Sequence, residues 1–290
     1  MTELRRARSI AELHERGENF QTEIGREKGL AFQPRPTDVF ISPASKSGTT
    51  WLQQIVHGLR TRGSMDFDEI TAVVPWLDIE GEQVAFPRVY KSHLHWDEIP
   101  RGGRYIYSIR DPQDVLVSMY RFLGGWWFDE DAISITTFAR EDFMVDWHER
   151  GYWQHVMSWW EQRDNPAILF LSYEEMKADL AGTIKRIAAF LEIPLDAELF
   201  DIVLRQSSLE FMKAHKHQFD DHLTQAARNS ICGLPSGDSS KVRKGQVGEH
   251  QHELSPEILR ELDVIWQATF GAKYGYRSYQ DLRQAIIAHG

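Results

Sequence analysis

Short apolar runs alternate along the chain with longer segments in which apolar residues recur every three or four positions. The runs at 39–41 and 167–171 are typical of strands buried in a parallel sheet. Two further strands are predicted at 88–92 and 104–111. The segment 152–160, with apolar residues at i, i+3, i+4 and i+7, predicts a helix that buries one face. This order of strands and helices determines which residues lie at the same edge of the predicted sheet.

The stretch around the first strand, DVFISPASKSGTTW at 38–51, combines three features that bind anions. A loop of small residues follows the strand, and a helical pattern begins at Thr49. The free N–H groups and the positive dipole end of that helix would point at one spot, where Lys46 adds a full charge. An ordinary strand-to-helix turn needs neither the lysine nor the paired hydroxyls of Thr49 and Thr50. We therefore interpret residues 42–48 as an anion loop.

Other predicted strands also end at residues with chemical functions. Lys91 and His93 stand at the end of the second strand and point to the same side, because side chains alternate along a strand. Arg110 ends the third strand, and Tyr173 follows the fourth. Ligands of open parallel sheets bind beyond the carboxyl ends of the strands, so these residues are predicted to meet the anion loop. A lone histidine is usually structural, and His93 becomes a catalytic candidate because a lysine accompanies it at the ligand edge.

The helix after the third strand has clear boundary signals. Asp111 is a predicted N-cap, and Pro112 suits the first helical position. The glycine pair at 124–125 is predicted to end the helix. Residues 124–131 are then expected to form a loop.

Composition narrows the class of protein. The 290 residues contain no Gly/Ser linker, which favours one domain with a core at about 37–275 and a partly helical lead-in at 1–36. The net charge of −10 argues against a nucleic-acid partner. A single cysteine, Cys232, fits the reducing cytoplasm, and we expect neither a signal peptide nor a membrane span. An anionic ligand must therefore be held by local positive groups.

Residues 213–240 are polar and lack a helical period, which is typical of a lid or of a disordered loop. The spacing of His215, His217 and His222 fits no metal motif, so no metal is predicted. The basic cluster KVRKG at 241–245 follows. Such clusters are usually solvated, but at the end of a lid one also suits phosphate binding.

Five ordered motifs resemble those of the cytosolic sulfotransferases that use 3′-phosphoadenosine 5′-phosphosulfate (PAPS). They are SKSGTTW at 45–51, YKSHL at 90–94, RDPQDVLVSMYRF at 110–122, LSYEEMKADL at 171–180 and VRKGQVG at 242–248. The resemblance implies a P-loop-like, three-layer α/β fold with a central, mostly parallel sheet flanked by helices. It also implies sulfuryl transfer from PAPS to a hydroxyl or an amine, without a metal.

The resemblance implies roles for individual residues. His93 would be the catalytic base, Lys46 and Lys91 would stabilise developing charge, and Ser118 would hold Lys46 aside until the acceptor arrives. An ordinary histidine pKa of about 6.5 would suit the base at neutral pH. The residues implied to bind PAPS and its product, adenosine 3′,5′-bisphosphate (PAP), are Lys46, Ser47, Gly48, Thr49, Thr50, Trp51, Arg110, Ser118, Tyr173, Ser207, Met212, Arg243, Lys244 and Gly245.

The chain departs from the family pattern in three places. Ser45 stands where a proline usually precedes the loop lysine, and Leu209 stands where an aromatic residue usually packs on the adenine. The usual dimerisation stretch is not evident between 247 and 270. We therefore expect either a monomer or a homodimer.

Aromatic residues give the only indication of the acceptor. Phe20, Trp76, Trp126 and Trp127, together with His95, predict a fairly apolar pocket. We expect a small phenol or hydrophobic alcohol, because an acidic chain offers little to a charged polysaccharide. No nucleic acid or membrane is expected as a partner.

Two other functions stay open. A P-loop kinase would carry G-x-x-x-x-G-K-[ST], whereas here Lys46 precedes Gly48. A non-catalytic module that only binds PAPS or another nucleotide would not need both Lys46 and His93.

Overall fold

The computed structural model describes residues 4–77, 85–239 and 241–289. Ser240, the last residue of the predicted lid, lies outside these ranges. The strands form one sheet in the order β2-β1-β3-β4, from β1 (Val39–Ile41), β2 (Val89–Lys91), β3 (Arg104–Ile109) and β4 (Ile168–Ser172). Every pairing among them is parallel. The four predicted strands are therefore confirmed, and none of their ends differs from the prediction by more than two residues.

Helices surround this sheet. Within the described ranges the α-helices are α1 (Ile10–Glu18), α2 (Glu23–Leu30), α3 (Thr49–Thr61), α4 (Ile70–Val73), α5 (Pro112–Trp126), α6 (Ile135–Phe138), α7 (Tyr152–Trp160), α8 (Tyr173–Ala178), α9 (Leu180–Phe190), α10 (Ala197–Gln206), α11 (Leu209–Ala214), α12 (His222–Arg228), α13 (His250–Glu253), α14 (Pro256–Trp266), α15 (Ala272–Tyr274) and α16 (Tyr279–His289). Single turns of other helix types occur at Ala139–Phe143, Lys216–Phe219 and Gln267–Gly271.

The sheet separates two apolar layers. Phe40 of β1 packs in the same layer as Tyr105 and Tyr107 of β3, while its neighbours Val39 and Ile41 belong to the opposite layer. This division follows from the alternation of side chains along a strand, and helices cover both layers. The expected three-layer α/β fold with a parallel central sheet is confirmed.

The predicted end of α5 at the glycine pair is wrong. The helix continues through both glycines to Trp126. A Cβ added at Gly124 would lie 2.5 Å from the Glu130 side chain, and one at Gly125 would lie 2.3 Å from the Asp238 carbonyl. The two glycines thus allow close packing against other segments rather than ending the helix.

Residues 213–239 of the predicted lid are folded. They include α12 and the turn Lys216–Phe219, and side-chain hydrogen bonds connect them. Their role as a lid stays a prediction. Gln225 Nε2 donates to the Gly237 carbonyl (2.9 Å) and to Ser239 Oγ (2.7 Å). Hydrogen bonds between polar side chains, rather than a periodic apolar face, hold this segment in place. The sequence therefore shows no helical hydrophobic period there.

The lead-in contains α1 and α2, in agreement with the expected partial helix. Arg228 of α12 donates to the carbonyl groups of Asn19 (2.8 Å) and Phe20 (2.7 Å), which joins the lead-in to the segment 213–240. None of the helices in the described ranges has the length and apolar character that crossing a membrane would require.

Candidate active site

The carboxyl ends of the four strands meet along one edge of the sheet. β2 ends at Lys91 and is followed by His93, Arg110 follows β3, and Tyr173 follows β4. These four side chains and part of the anion loop line one cavity of about 360 Å³. The strand order thus brings together residues that lie far apart in the sequence.

The anion loop is held open by its backbone. Lys46 and Gly48 adopt the left-handed conformation, with φ of 65° and 102°. The carbonyl of Ser47 accepts from Ser108 Oγ (2.5 Å), and the carbonyl of Lys46 accepts from Arg110 Nη1 (3.2 Å). The loop carbonyls are thereby engaged by β3 and the residue after it, while the first N–H groups of α3 have no acceptor within the helix.

Two lysines border the cavity beside aromatic rings. The Nζ atom of Lys46 lies 3.7 Å from the centre of the Phe122 ring, and that of Lys91 lies 4.1 Å from the centre of the Trp76 ring. Burial, and next the positive charge of Lys241, lower the pKa of Lys46 to about 7. The same two causes lower the pKa of Lys91 to about 7. Both amines therefore change protonation near neutral pH.

His93 has a defined tautomer. Its Nδ1 lies 2.8 Å from the carbonyl oxygen of Pro43, which only accepts, so Nδ1 carries the proton and Nε2 carries the lone pair. Trp76 packs edge-on against the ring at 5.4 Å. The pKa of His93 departs from the usual histidine value of about 6.5. Burial, followed by the charge of Lys91, lowers the pKa of His93 to about 3.

The far end of the cavity is basic. Arg110, Ser118, Arg243, Lys244 and Gly245 all line it. Glu249 forms ion pairs with two of these cationic groups. Its Oε1 accepts from Arg243 Nη1 (2.7 Å) and from Lys244 Nζ (3.0 Å). An anion bound at this end would have to compete with the carboxylate of Glu249.

Trp51 and Tyr173 stand between the anion loop and the basic end. Their rings meet edge to face with centres 5.8 Å apart. Trp51 Nε1 donates to the Ser207 carbonyl (2.7 Å). Thr49, Thr50 and Met212 line the same cavity.

Three residues expected at the site do not line this main cavity. Ser47 and Ser207 are fully buried behind its wall. His95 lines a neighbouring cavity, which shares Phe20, Trp76 and His93 with the main one.

An aromatic group forms the end of the cavity next to His93. Phe20 contacts the rings of Trp76, Trp126 and Trp127, with centres 5.2 to 6.0 Å apart. Trp126 Nε1 donates to Asn229 Oδ1 (2.7 Å), which fixes this indole against the segment 213–240. The residues predicted for the acceptor pocket, apart from His95, therefore share one apolar surface.

The cavity also contains an ion pair whose two residues were not predicted as site residues. Asp221 and Lys241 line the cavity and form an ion pair. Lys241 had a signal, since it is the first residue of the basic cluster. Asp221 had none, because a carboxylate in an acidic polar segment is indistinguishable from a solvated one.

Two groups of potential metal ligands lie in the segment 213–240 and on residues that it contacts. Asp68, His217 and His222 place one ligand atom each within 4.8 Å of one another, as do Glu69, Asp220 and His222. These groups already interact, since His222 Nδ1 lies 2.6 Å from Asp220 Oδ1. The absence of a metal requirement stays a prediction.

Unpartnered polar atoms indicate that the cavity fits an anionic ligand. Among the described residues that line the cavity, Thr49 Oγ1 and Arg110 Nε are buried without a hydrogen-bond partner. Buried polar groups nearly always have one, so these atoms point to a polar ligand. Their position beside Lys46 and Arg110 gives that ligand a negative charge.

Comparisons with known proteins agree with this geometry. A family model described as the sulfotransferase domain matches residues 36–274. The chain is similar to sulfotransferase 1B1 of Mus musculus, with 31% identity over 264 residues that cover 81% of this chain and 83% of that relative. It is also 31% identical to the amine sulfotransferase of Oryctolagus cuniculus, over 254 residues and 81% of each chain.

A solved structure shares the fold. The crystal structure of mouse sulfotransferase SULT7A1 complexed with PAP matches this chain with a TM-score of 0.68 and 22% identity. The match covers 93% of this chain and 95% of that one.

Proposed function

The chain belongs to the sulfotransferase family, and from this premise we propose that it moves the sulfuryl group of PAPS to the hydroxyl of a phenol or hydrophobic alcohol. The observation that carries this proposal is one cavity in which Lys46, Lys91 and His93 stand between a basic end and an aromatic end. The first end suits an anionic donor and the second an apolar acceptor. The products would be a sulfate ester and PAP.

The donor would be held by the sheet edge and the basic cluster. Residues 46–50 and the N-terminus of α3 would bind the 5′-phosphosulfate, and Trp51 and Tyr173 would flank the adenosine, with Ser207 and Met212 nearby. The residues for the 3′-phosphate would be Arg110, Ser118, Arg243, Lys244 and Gly245. Positive groups concentrated here overcome the net charge of −10, because local charges outweigh a distant field in a partly buried site.

Once bound, PAPS supplies a sulfuryl group activated as a phosphosulfate anhydride. His93 Nε2 accepts the hydroxyl proton as the acceptor oxygen forms its bond to sulfur. Lys46 stabilises the electron pair that remains on the 5′-phosphate oxygen when the sulfur–oxygen bond breaks. Lys91 stabilises the charge on the sulfuryl oxygens. Ser118 would hold Lys46 aside until the acceptor arrives.

Donor binding would change the pKa of His93. Burial and the positive charge of Lys91 are the main causes that lower this pKa. A bound anionic donor neutralises the nearby lysines and therefore raises the pKa of His93. The base would thus gain proton affinity only when the donor is in place.

Alternative functions fit the site less well. The family match favours sulfuryl transfer over a P-loop kinase. A module that only binds a nucleotide would not need His93, whose Nε2 carries a lone pair at the acceptor end. An amine is the second acceptor class, since one relative is an amine sulfotransferase. We expect a cytoplasmic enzyme that acts as a monomer or homodimer and binds neither nucleic acid nor membranes.

An acceptor panel tests the proposal. The protein is incubated with sulfur-labelled PAPS and phenols, hydrophobic alcohols, amines or charged glycans, and labelled product is counted together with PAP. We expect acceptor-dependent label transfer that is greatest for a phenol or hydrophobic alcohol. PAPS binding without transfer to any acceptor would favour the binding module, and ADP release from ATP with magnesium would favour the kinase.

A further inference from the structure

Asp221 and Lys241 form a buried ion pair inside the donor cavity. The Lys241 ammonium donates to Asp221 Oδ1, and the two side chains are 10% and 5% exposed. Asp221 precedes α12 as its N-cap residue, yet its side chain makes no capping hydrogen bond. The carboxylate therefore points to Lys241. An N-cap aspartate usually accepts from the free N–H groups of its helix instead.

The pair is fixed by surrounding contacts. The N–H of Asp221 donates to Ser239 Oγ (3.1 Å), which connects the residue to the chain just before Lys241. At the start of α12, the N–H of Leu223 donates to the buried Glu69 Oε2 (2.7 Å). These contacts hold the Asp221 end of the pair in place.

Lys241 lies in the same cavity as the two proposed catalytic lysines. Its side chain lines this cavity together with those of Lys46, Lys91 and His93. The positive charge of Lys241 lowers the pKa of all three groups.

We propose that Lys241, oriented by Asp221, is a third lysine of the sulfuryl-transfer site and contacts the group being transferred together with Lys46 and Lys91. The inference rests on the proposed function and deepens it. Three ammonium groups match the sulfuryl oxygens and the phosphate oxygen between which the sulfur–oxygen bond breaks. Asp221 supplies the counter-charge that makes three neighbouring cations possible in a buried site.

This arrangement couples donor binding to protonation. The charged groups that act on Lys46 and Lys91 from the packed elements are Lys241, Asp221, Glu69 and Arg110, besides the lysines themselves. Lys241 lowers the pKa of both lysines, and Asp221 raises it. An anion binds best when both lysines are protonated, so PAP binding near pH 7.5 should take up protons.

Proton uptake gives a test that needs neither acceptor nor turnover. PAP binding is measured by calorimetry at pH 7.5 in two buffers of different ionisation enthalpy. In Lys241→Met both lysines titrate at higher pH and are already charged, so uptake should fall. In Asp221→Asn they titrate at lower pH, so uptake should rise. A loss of folding alone would not shift the two variants in opposite directions.

Turnover gives the second readout. We expect Lys241→Met to lower kcat about 10²-fold, as for loss of one preorganised donor to a transition state. Lys241→Arg, which keeps the charge on Asp221, should recover part of the loss. Exposed Lys213→Met and Asp201→Asn are matched controls and should behave as wild type. Thermal unfolding is recorded for every variant.

The outcomes separate the inference from the proposed function. Wild-type proton uptake in both Lys241→Met and Asp221→Asn, or undiminished turnover in Lys241→Met, would overturn the third lysine. A wild-type protein that binds PAP but transfers no sulfuryl group to any acceptor would overturn the proposed function, while the opposite shifts in proton uptake would still support the charge coupling.

Discussion

The two ends of the cavity are built in different ways. The anion loop and Arg110 come directly after strands of a parallel sheet, and backbone geometry places them. The aromatic end comes from Phe20 in the lead-in, Trp76 beside β2, and Trp126 and Trp127 at the end of α5. These aromatic residues come from three separate segments of the chain. Side-chain packing, the contacts of segment 213–240 and isolated backbone contacts, such as that from the Ala7 N–H to the Trp127 carbonyl (2.9 Å), hold them together.

This difference between the two ends indicates which binding properties a relative is expected to share with this chain. A donor end that depends on backbone conformation changes little when surrounding residues change. An acceptor end that depends on packing changes with each substitution. Similarity to other sulfotransferases therefore supports the donor more strongly than any particular acceptor.

The largest expected effect lies at the junction of the two ends. His93→Ala removes the proposed base and should lower kcat by about 10²–10⁴-fold. Affinity for PAP should stay near wild type, because Lys46 and Lys91 remain. Initial rates with saturating PAPS and calorimetric PAP binding measure the two effects. His215→Ala, outside the cavity, is the control. Near-normal turnover in His93→Ala would remove the base assignment.

The next effect tests whether backbone geometry controls the donor end. Gly48→Ala places a side chain at φ 102° and a Cβ 3.2 Å from the Tyr173 ring. Left-handed strain should cost about 1 kcal/mol or more in the free energy of unfolding. We expect affinity for PAP to fall about tenfold or more, measured by calorimetry alongside thermal unfolding.

Gly17→Ala is the matched control for Gly48→Ala. It lies in α1, where an added Cβ meets nothing within 4 Å, so the variant should be neutral or slightly stabilising. Unchanged PAP affinity in Gly48→Ala would mean that the loop geometry is not what binds the donor.

The same contrast explains what the sequence could predict. The strands, the anion loop and the positions of Lys91, His93 and Arg110 at one edge follow from local pattern and from the parallel order of strands. The end of α5 does not follow from the local pattern, because Gly125 packs closely against the carbonyl of Asp238, which is far away in the sequence. Local residue preferences do not predict such a tertiary contact.

Charge was the least predictable property of the site. The pKa of His93, about 3, results from burial and from lysines brought close by folding. The counter-charge at Asp221 depends on how segment 213–240 closes through Ser239. Neither feature has a local signal in the sequence.

A smaller effect should separate the acceptor end from the donor end. Phe20→Ala removes the ring that contacts Trp76, Trp126 and Trp127. We expect the KM for a phenolic or hydrophobic acceptor to rise about tenfold, the equivalent of about 1.4 kcal/mol of lost apolar contact, while PAP affinity is unchanged. Phe86→Ala, at a side chain 69% exposed, is the control. Equal losses of acceptor and PAP binding would show that the ends are not independent.

The smallest effect concerns competition at the basic end. Glu249 holds Arg243 and Lys244, which the bound 3′-phosphate would use. Glu249→Gln weakens these partly exposed ion pairs, each worth about 0.2–1 kcal/mol, so PAP should bind about two- to fivefold more tightly. Glu198→Gln, at an exposed partner of Arg62, should leave affinity unchanged. Calorimetry on both variants decides the point: weaker PAP binding in Glu249→Gln would mean that Glu249 orients the two cations for the donor rather than competing with it.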